Sequence, residues 1–261
     1  MSEPDTKRVK TANEAPYELI YWPGIPGRGE FVRLLFEEAG VSYTDTAKSG
    51  GDAVPTVLKL MAADNKGDDM NPPSFACPAL KHGDLRLSQT PNILLYLGPK
   101  LGLAPTEGNG IYHINQIALT ILDCFSNEVH DTHHPVASSD YYEAQKPEAK
   151  RRAKSFIDER LPKFLAYIQR VLDGKASGDG PWLYGGKLTY ADLVLFQGID
   201  GTEFAFPKTM KKMRDSGKYD GVFKLYEAVK ERPNIKEYLA SDRRSQYSDG
   251  IWRHYPELEE D

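Results

Sequence analysis

Residues 17 to 40 read YELIYWPGIPGRGEFVRLLFEEAG, and the middle of this stretch, YWPGIPGRGE at residues 21 to 30, holds three glycines, two prolines and a single arginine. Its left flank, YELIYW at residues 17 to 22, is short, β-prone and stopped by Pro23-Gly24, as a strand ending in a turn should be. Its right flank, GEFVRLLFEEAG, puts Phe31, Leu34, Leu35 and Glu38 on one helical face, with Val32, Phe36 and Ala39 beside it and Gly40 as the stop. The glycines at 24, 27 and 29 are spaced G-x-x-G-x-G, which matches neither the dinucleotide G-x-G-x-x-G nor the phosphate loop G-x-x-x-x-G-K-[ST]. A nucleotide loop is excluded, and what remains is a tyrosine at a strand end seven residues before an arginine at a helix start.

Working outward, VSYTDT at residues 41 to 46 reads as a second strand, so the opening is a βαβ unit whose helix must cross over the sheet. Residues 47 to 75 combine a short helix around Val54 to Ala63 with polar, Gly/Pro-rich flanks. Two short strands, residues 78 to 81 and 85 to 87, then flank a His82-Gly83-Asp84 turn, a hairpin signal. The next helix, TPNILLYLGPKLGL, is expected to start with Thr90 at the cap and Pro91 in the first turn, where a missing N–H costs nothing. GPKLGLAPTEGNG is rich in turn formers, and everything after it carries helix-period apolar residues without strand alternation. The expected organisation is a tail at residues 1–16, a mixed β-α-β-β-α sheet domain at 17–98, a linker at 99–110, an all-helical domain at 111–241 and a C-terminal extension at 242–261, whose Trp252 and Tyr255 pack back.

With 261 residues, 40% hydrophobic and 27% charged, the chain has apolar material for a core in each of two domains. A net charge of −5 gives no electrostatic footprint for nucleic acid or an anionic membrane, and no apolar run reaches the length of a spanning helix. Cys77 and Cys124, the only cysteines, exclude a disulfide framework and a CxxC pair, which fits a reducing, cytoplasmic setting.

Four motifs, Tyr-x6-Arg-Gly-Glu from Tyr21, the Cys77-Pro78 step, the Gln89-Thr90 helix start and LTYADLVLF at residues 188 to 196, together resemble the cytosolic glutathione transferases of the tyrosine type, sigma, mu and pi among them. The resemblance spans residues 17 to 241 in element order and implies a thioredoxin-like N-terminal domain followed by helices. It implies conjugation of the glutathione thiolate to a small apolar electrophile in detoxification. Glutathione is then a co-substrate, with no further cofactor, and the protein is a homodimer. Residue by residue, it makes Tyr21 catalytic and gives glutathione contacts to Tyr21, Trp22, Arg28, the Cys77 backbone ahead of a cis Pro78, and Gln89-Thr90. Lys59 is the candidate for the glycyl carboxylate, and Asp123 matches an acid that reaches glutathione across the dimer interface. Cys77 departs from the usual Val or Ile and suggests a mixed disulfide with glutathione, its alternative being a small core residue.

Each role has a physical basis. A phenol donating to the glutathione sulfur favours the thiolate, and a drop of about two pKa units needs about 2.7 kcal/mol, within reach of one charge-assisted bond. A helix start offers free N–H groups to a carboxylate, while Thr90 as a plain N-cap is compatible with that role. Arg28 has the wrong sign for a helix N-terminus, which points to a pairing or orienting task, the alternative being a plain solvated arginine. Thr189 three residues before Asp192 is a capping box that serves folding. His130, His133 and His134 lack a Cys or HExxH context and read as a helix end complementing the dipole, so no metal is expected. The basic run KRRAK at residues 150 to 154 reads as a solvated helix face. The same fold also serves non-enzymatic glutathione-binding or structural and interaction proteins, which is the alternative, whereas a thiol-dependent oxidoreductase would place Cys or Ser where Tyr21 stands.

Overall fold

The structure, a computed structural model, describes residues 15–260, so residues 1–14 of the expected tail lie outside it. Strand β1 (Tyr17–Ile20) is followed by helix α1 (Gly29–Ala39), strand β2 (Tyr43–Asp45), helix α2 (Ala53–Leu60), the hairpin β3 (Ala79–His82) and β4 (Leu85–Ser88), and helix α3 (Thr90–Lys100). Sheet order is β2-β1-β3-β4, with β1 parallel to β2 and antiparallel to β3, and β3 antiparallel to β4. This is the thioredoxin-like arrangement, with the crossover that a parallel β1–β2 pair requires supplied by α1.

Strand periodicity assigns the two faces. Tyr17 and Leu19 join the large core with Phe31, Leu35, Ile93 and Leu97, while Ile20 meets Val57, Leu60 and Ala79 of a smaller cluster under α2. Strand β1 stops at Ile20, two residues earlier than expected, because the Tyr21 N–H leaves the ladder and donates to Thr46 Oγ1 at 3.2 Å. Strand β2 ends at Asp45, whose carboxylate accepts the Ala47 N–H at 3.0 Å and starts a 3₁₀ turn. The long 47–75 segment is tied down by buried Asn71, which accepts the Arg86 N–H at 2.7 Å and donates to the Asp84 carbonyl at 2.8 Å.

Two expected boundaries move. Helix α3 continues through Gly98 and Pro99 to Lys100, and the next helix starts at Gly110, so the 99–110 linker shrinks to residues 101–109. Pro99 is tolerated in the last turn, next to the helix end. Thr90 is not the cap: Gln89 holds that position with φ 70°, and Thr90 is the first helical residue.

The helical half comprises α4 (Gly110–Leu122), a π-helical turn (Asp123–Glu128), α5 (Val129–Asp131), α6 (Lys146–Ser155), a second π-turn (Phe156–Arg160), α7 (Leu161–Leu172), α8 (Tyr190–Ala205), α9 (Pro207–Asp215), α10 (Asp220–Lys230) and α11 (Pro233–Leu239). Helix α8 is the axis of this half, buried along nearly its whole length, and the Asp192 carboxylate accepts the Thr189 N–H at 2.6 Å in the expected box. Helix α1 packs on α3 and also on α8 and α11, so one apolar core runs through both halves.

The C-terminal extension is a packed strap. Arg244 is buried and bonds Glu30 of α1 and Asp200 of α8, the latter at 2.8 Å. Glu30 is itself fully buried and bonds Arg33 at 3.0 Å and the Tyr238 hydroxyl at 2.6 Å. Trp252 donates its indole N–H to the Phe125 carbonyl at 3.1 Å, and Tyr255 stacks on Tyr142 at 3.7 Å.

Candidate active site

The opening glycines hold the phenol. Tyr21 is 5% exposed, and its hydroxyl accepts the Arg28 N–H at 2.8 Å, at the N-terminal end of α1. A methyl group at Gly27 would stand 2.2 Å from the Tyr21 oxygen, and one at Gly29 would stand 2.6 Å from Cγ, so only glycine lets this backbone lie against the ring. Gly27 also needs φ +48°, whereas Gly24, at φ +78°, faces open space and serves the turn alone. Burial pushes the Tyr21 hydroxyl above its ordinary range against the opposing bond from Arg28, so it is protonated at neutral pH. Having accepted one bond, it keeps its own proton for an acceptor.

Next to Arg28 lies a cavity of about 140 Å³ that also takes in Gln89, Thr90, Leu119, Asp123 and Asn127. The Arg28 guanidinium donates to Asn127 Oδ1 at 2.9 Å and has no carboxylate partner among the described residues. Thr90 is 4% exposed, and its Oγ1 has no hydrogen-bond partner among the described residues. The Arg28 guanidinium bonded to Asn127, an unused buried hydroxyl and the N-terminus of α3 converge on one small space, which the Asp123 carboxylate also lines. That combination suits a carboxylate. The Cys77–Pro78 peptide is cis. Burial pushes the Cys77 thiol up to about 11 despite the Trp22 N–H beside it, so the sulfur is a poor nucleophile near neutrality.

Arg28, Gln89, Thr90 and Asp123 are thus brought together, with Tyr21 joined to them through the Arg28 backbone. Trp22 and Cys77 back onto the cluster under α2. Lys59 is exposed on α2 and lines none of this cavity. Asn127 was not foreseen; Asp123, Ser126 and Asn127 do interrupt an apolar helix pattern, and the π-turn is what carries them to the cavity. The three histidines do stand at a helix end, and the structure also gathers their ring nitrogens within 4.8 Å of one another.

The family of glutathione S-transferase C-terminal domains matches residues 130–242. A glutathione S-transferase of Plasmodium falciparum is 26% identical over 234 residues, covering 88% of this chain and 98% of the relative. Glutathione S-transferase Mu 2 of Rattus norvegicus is 26% identical and covers 82% of this chain and 91% of its own. Along most of its length the chain is similar to cytosolic glutathione transferases. Solved structures share this transferase fold: the glutathione S-transferase from Ascaris lumbricoides has a TM-score of 0.61 at 24% identity, covering 86% of this chain and 96% of that one. Rat hPGDS complexed with a quinoline has a TM-score of 0.65 at 19% identity, covering 89% and 98%.

Proposed function

We propose that this chain is a glutathione transferase in which Tyr21 holds the glutathione thiolate. The observation that carries the proposal is the buried, protonated Tyr21 hydroxyl, which takes the Arg28 N–H at 2.8 Å and has its own proton free to give. A thiolate accepting that proton in a hydrogen bond is stabilised relative to the thiol, and the positive end of α1 acts in the same direction. The thiol proton leaves to solvent, the sulfur attacks the electrophile, and the electrophile's leaving group departs with the bonding pair. Arg28 and the Gln89-Thr90 helix start fix the γ-glutamyl end, and the Cys77 backbone pairs with the cysteinyl unit. Trp22, Lys59 and Asp123 complete the proposed glutathione contacts. An apolar pocket from the helical half presents the electrophile. Holding both reactants supplies most of the remaining acceleration.

A cytoplasmic homodimer belongs to the same proposal. Phe75 at 90% exposed, Tyr112 at 66% and Leu119 at 41% are the apolar groups that a second copy would cover. Sedimentation showing a monomer at micromolar concentration would remove the dimer.

The test is conjugation of a generic aryl halide, together with retention on immobilised glutathione, for wild type and Tyr21→Phe. The variant is expected to keep glutathione retention, lose about 10²-fold of turnover at neutral pH and move the alkaline-rising limb of the rate up by about two pH units. Full activity with an unchanged profile overturns the role of Tyr21. Retention without turnover across a panel of electrophiles would favour the binding-protein alternative instead.

A further inference from the structure

Helix α5 ends at Asp131 within the stretch HDTHHP, and the three histidines of that stretch meet at one point beside the C-terminal strap. We propose that His130, His133 and His134 bind a divalent transition-metal ion of the zinc type, which clasps the strap to the end of the α4–α5 helical run.

Ring placement is the first argument. The centroids are 5.0 Å apart for His130 and His133, 5.4 Å for His130 and His134, and 4.7 Å for His133 and His134. Imidazole nitrogens at about 2.0–2.1 Å from one tetrahedral ion put their ring centroids about 5 Å apart, so the three rings already stand at ligand spacing.

The second argument is the tautomer. His133 Nε2 faces the Ile251 carbonyl at 2.8 Å, and because a carbonyl only accepts, that nitrogen carries the ring proton. The lone pair is therefore on Nδ1, which faces His134 Nδ1 in the cluster. A backbone carbonyl holding the far N–H of a histidine is how protein metal ligands are oriented and made more basic. Here that carbonyl belongs to the strap, which makes the ion a connection between strap and helix.

Two further features agree. The cluster ends a continuous helical run, where the dipole favours a cation. His134 is half-buried, leaving a side open for entry and for a water as fourth ligand. Against these, the positive charges of Arg28, beside His130, and Arg253, beside all three rings, weaken cation binding relative to a closed structural zinc centre. Without an ion, His134 Nδ1–H donates to His133 Nδ1, and that hydrogen-bonded pair is the competing state.

The experiment uses the full chain, stripped with a chelator and titrated with cobalt(II), then zinc(II). One equivalent of cobalt is expected to give the visible ligand-field bands of a tetrahedral site, and zinc is expected to abolish them. His134→Ala and His130→Ala, both at incompletely buried positions, are expected to weaken cobalt binding at least tenfold. Zinc is also expected to slow protease cleavage within residues 242–261 at least tenfold in the wild type and not in His134→Ala. An absence of bands beyond aqueous cobalt, or equal binding by the variants, overturns the site. Stoichiometric binding with unchanged cleavage of the strap overturns the clasp.

Discussion

Gly29→Ala separates the catalytic geometry of this protein from its stability. The added methyl would stand 2.6 Å from Tyr21 Cγ and 2.7 Å from Cδ1. Carbon atoms in contact sit about 3.5–4.0 Å apart, so the ring must retreat by about 1 Å. That retreat pulls the hydroxyl off the Arg28 N–H, now at 2.8 Å, and off the position from which it addresses a thiol. A displacement of about 1 Å at a reacting group costs about 10²-fold in rate, or about 2.7 kcal/mol of barrier. Meanwhile alanine is preferred over glycine within a helix by up to about 1 kcal/mol, and Gly29 opens α1, so the fold is partly compensated for the crowding. The expected result is a melting temperature within a few degrees of wild type, with kcat for aryl-halide conjugation down about 10²-fold. The absorbance titration of bound glutathione thiolate should shift to higher pH. Gly24→Ala is the control: its methyl meets nothing within 4 Å, so the φ of +78° costs about 1 kcal/mol of stability and turnover is kept. A Gly29→Ala protein that turns over within threefold of wild type with an unchanged thiolate titration refutes the reasoning.

Thr90→Val replaces an unpartnered buried hydroxyl by a methyl group of the same shape, so stability should hold or rise; the KM for glutathione should rise about tenfold if the γ-glutamyl carboxylate uses that hydroxyl, as steady-state kinetics would read directly. Arg244→Met leaves fully buried Glu30 with Arg33 as its remaining cation and should cost about 3–5 kcal/mol in denaturant unfolding; a loss under 1 kcal/mol would show that the pair is solvated. Burial pushes the Glu30 carboxyl up, but Arg244 and Arg33 outweigh it and hold it below its ordinary 4.5. A depressed carboxylate stabilises the fold above its unfolded pKa, so wild type should lose this contribution as pH falls below about 4.5, and Arg244→Met should show a shallower acid slope. With its thiol at about 11, Cys77 is thiolate to well under about 0.1% at neutral pH, so intact mass after treatment with oxidised glutathione should show no adduct there, and stoichiometric modification would contradict that burial.

What the sequence determined by itself was local. The strand stopped by Pro23-Gly24, the α1 stripe ended by left-handed Gly40, the hairpin turned at Gly83 and the Thr189-Asp192 helix start were readable because each follows from periodicity or turn chemistry within about a dozen residues. The Tyr21 and Gln89-Thr90 motifs were visible for the same reason, and so was the exclusion of a nucleotide loop. Tertiary structure decided how these pieces meet. Arg28 reaches Asn127 across 99 positions, and Arg244 reaches Glu30 across 214, contacts that no local pattern encodes. Without them the extension could only be read as a tail, and the histidines after the α4–α5 run as a helix end. The YWPGIPGRGE loop shows the division most directly. Spacing said what its glycines were not, but only the packed ring of Tyr21 against Gly27 and Gly29 says what they are, because a missing Cβ acquires its meaning from the atom that would have collided with it.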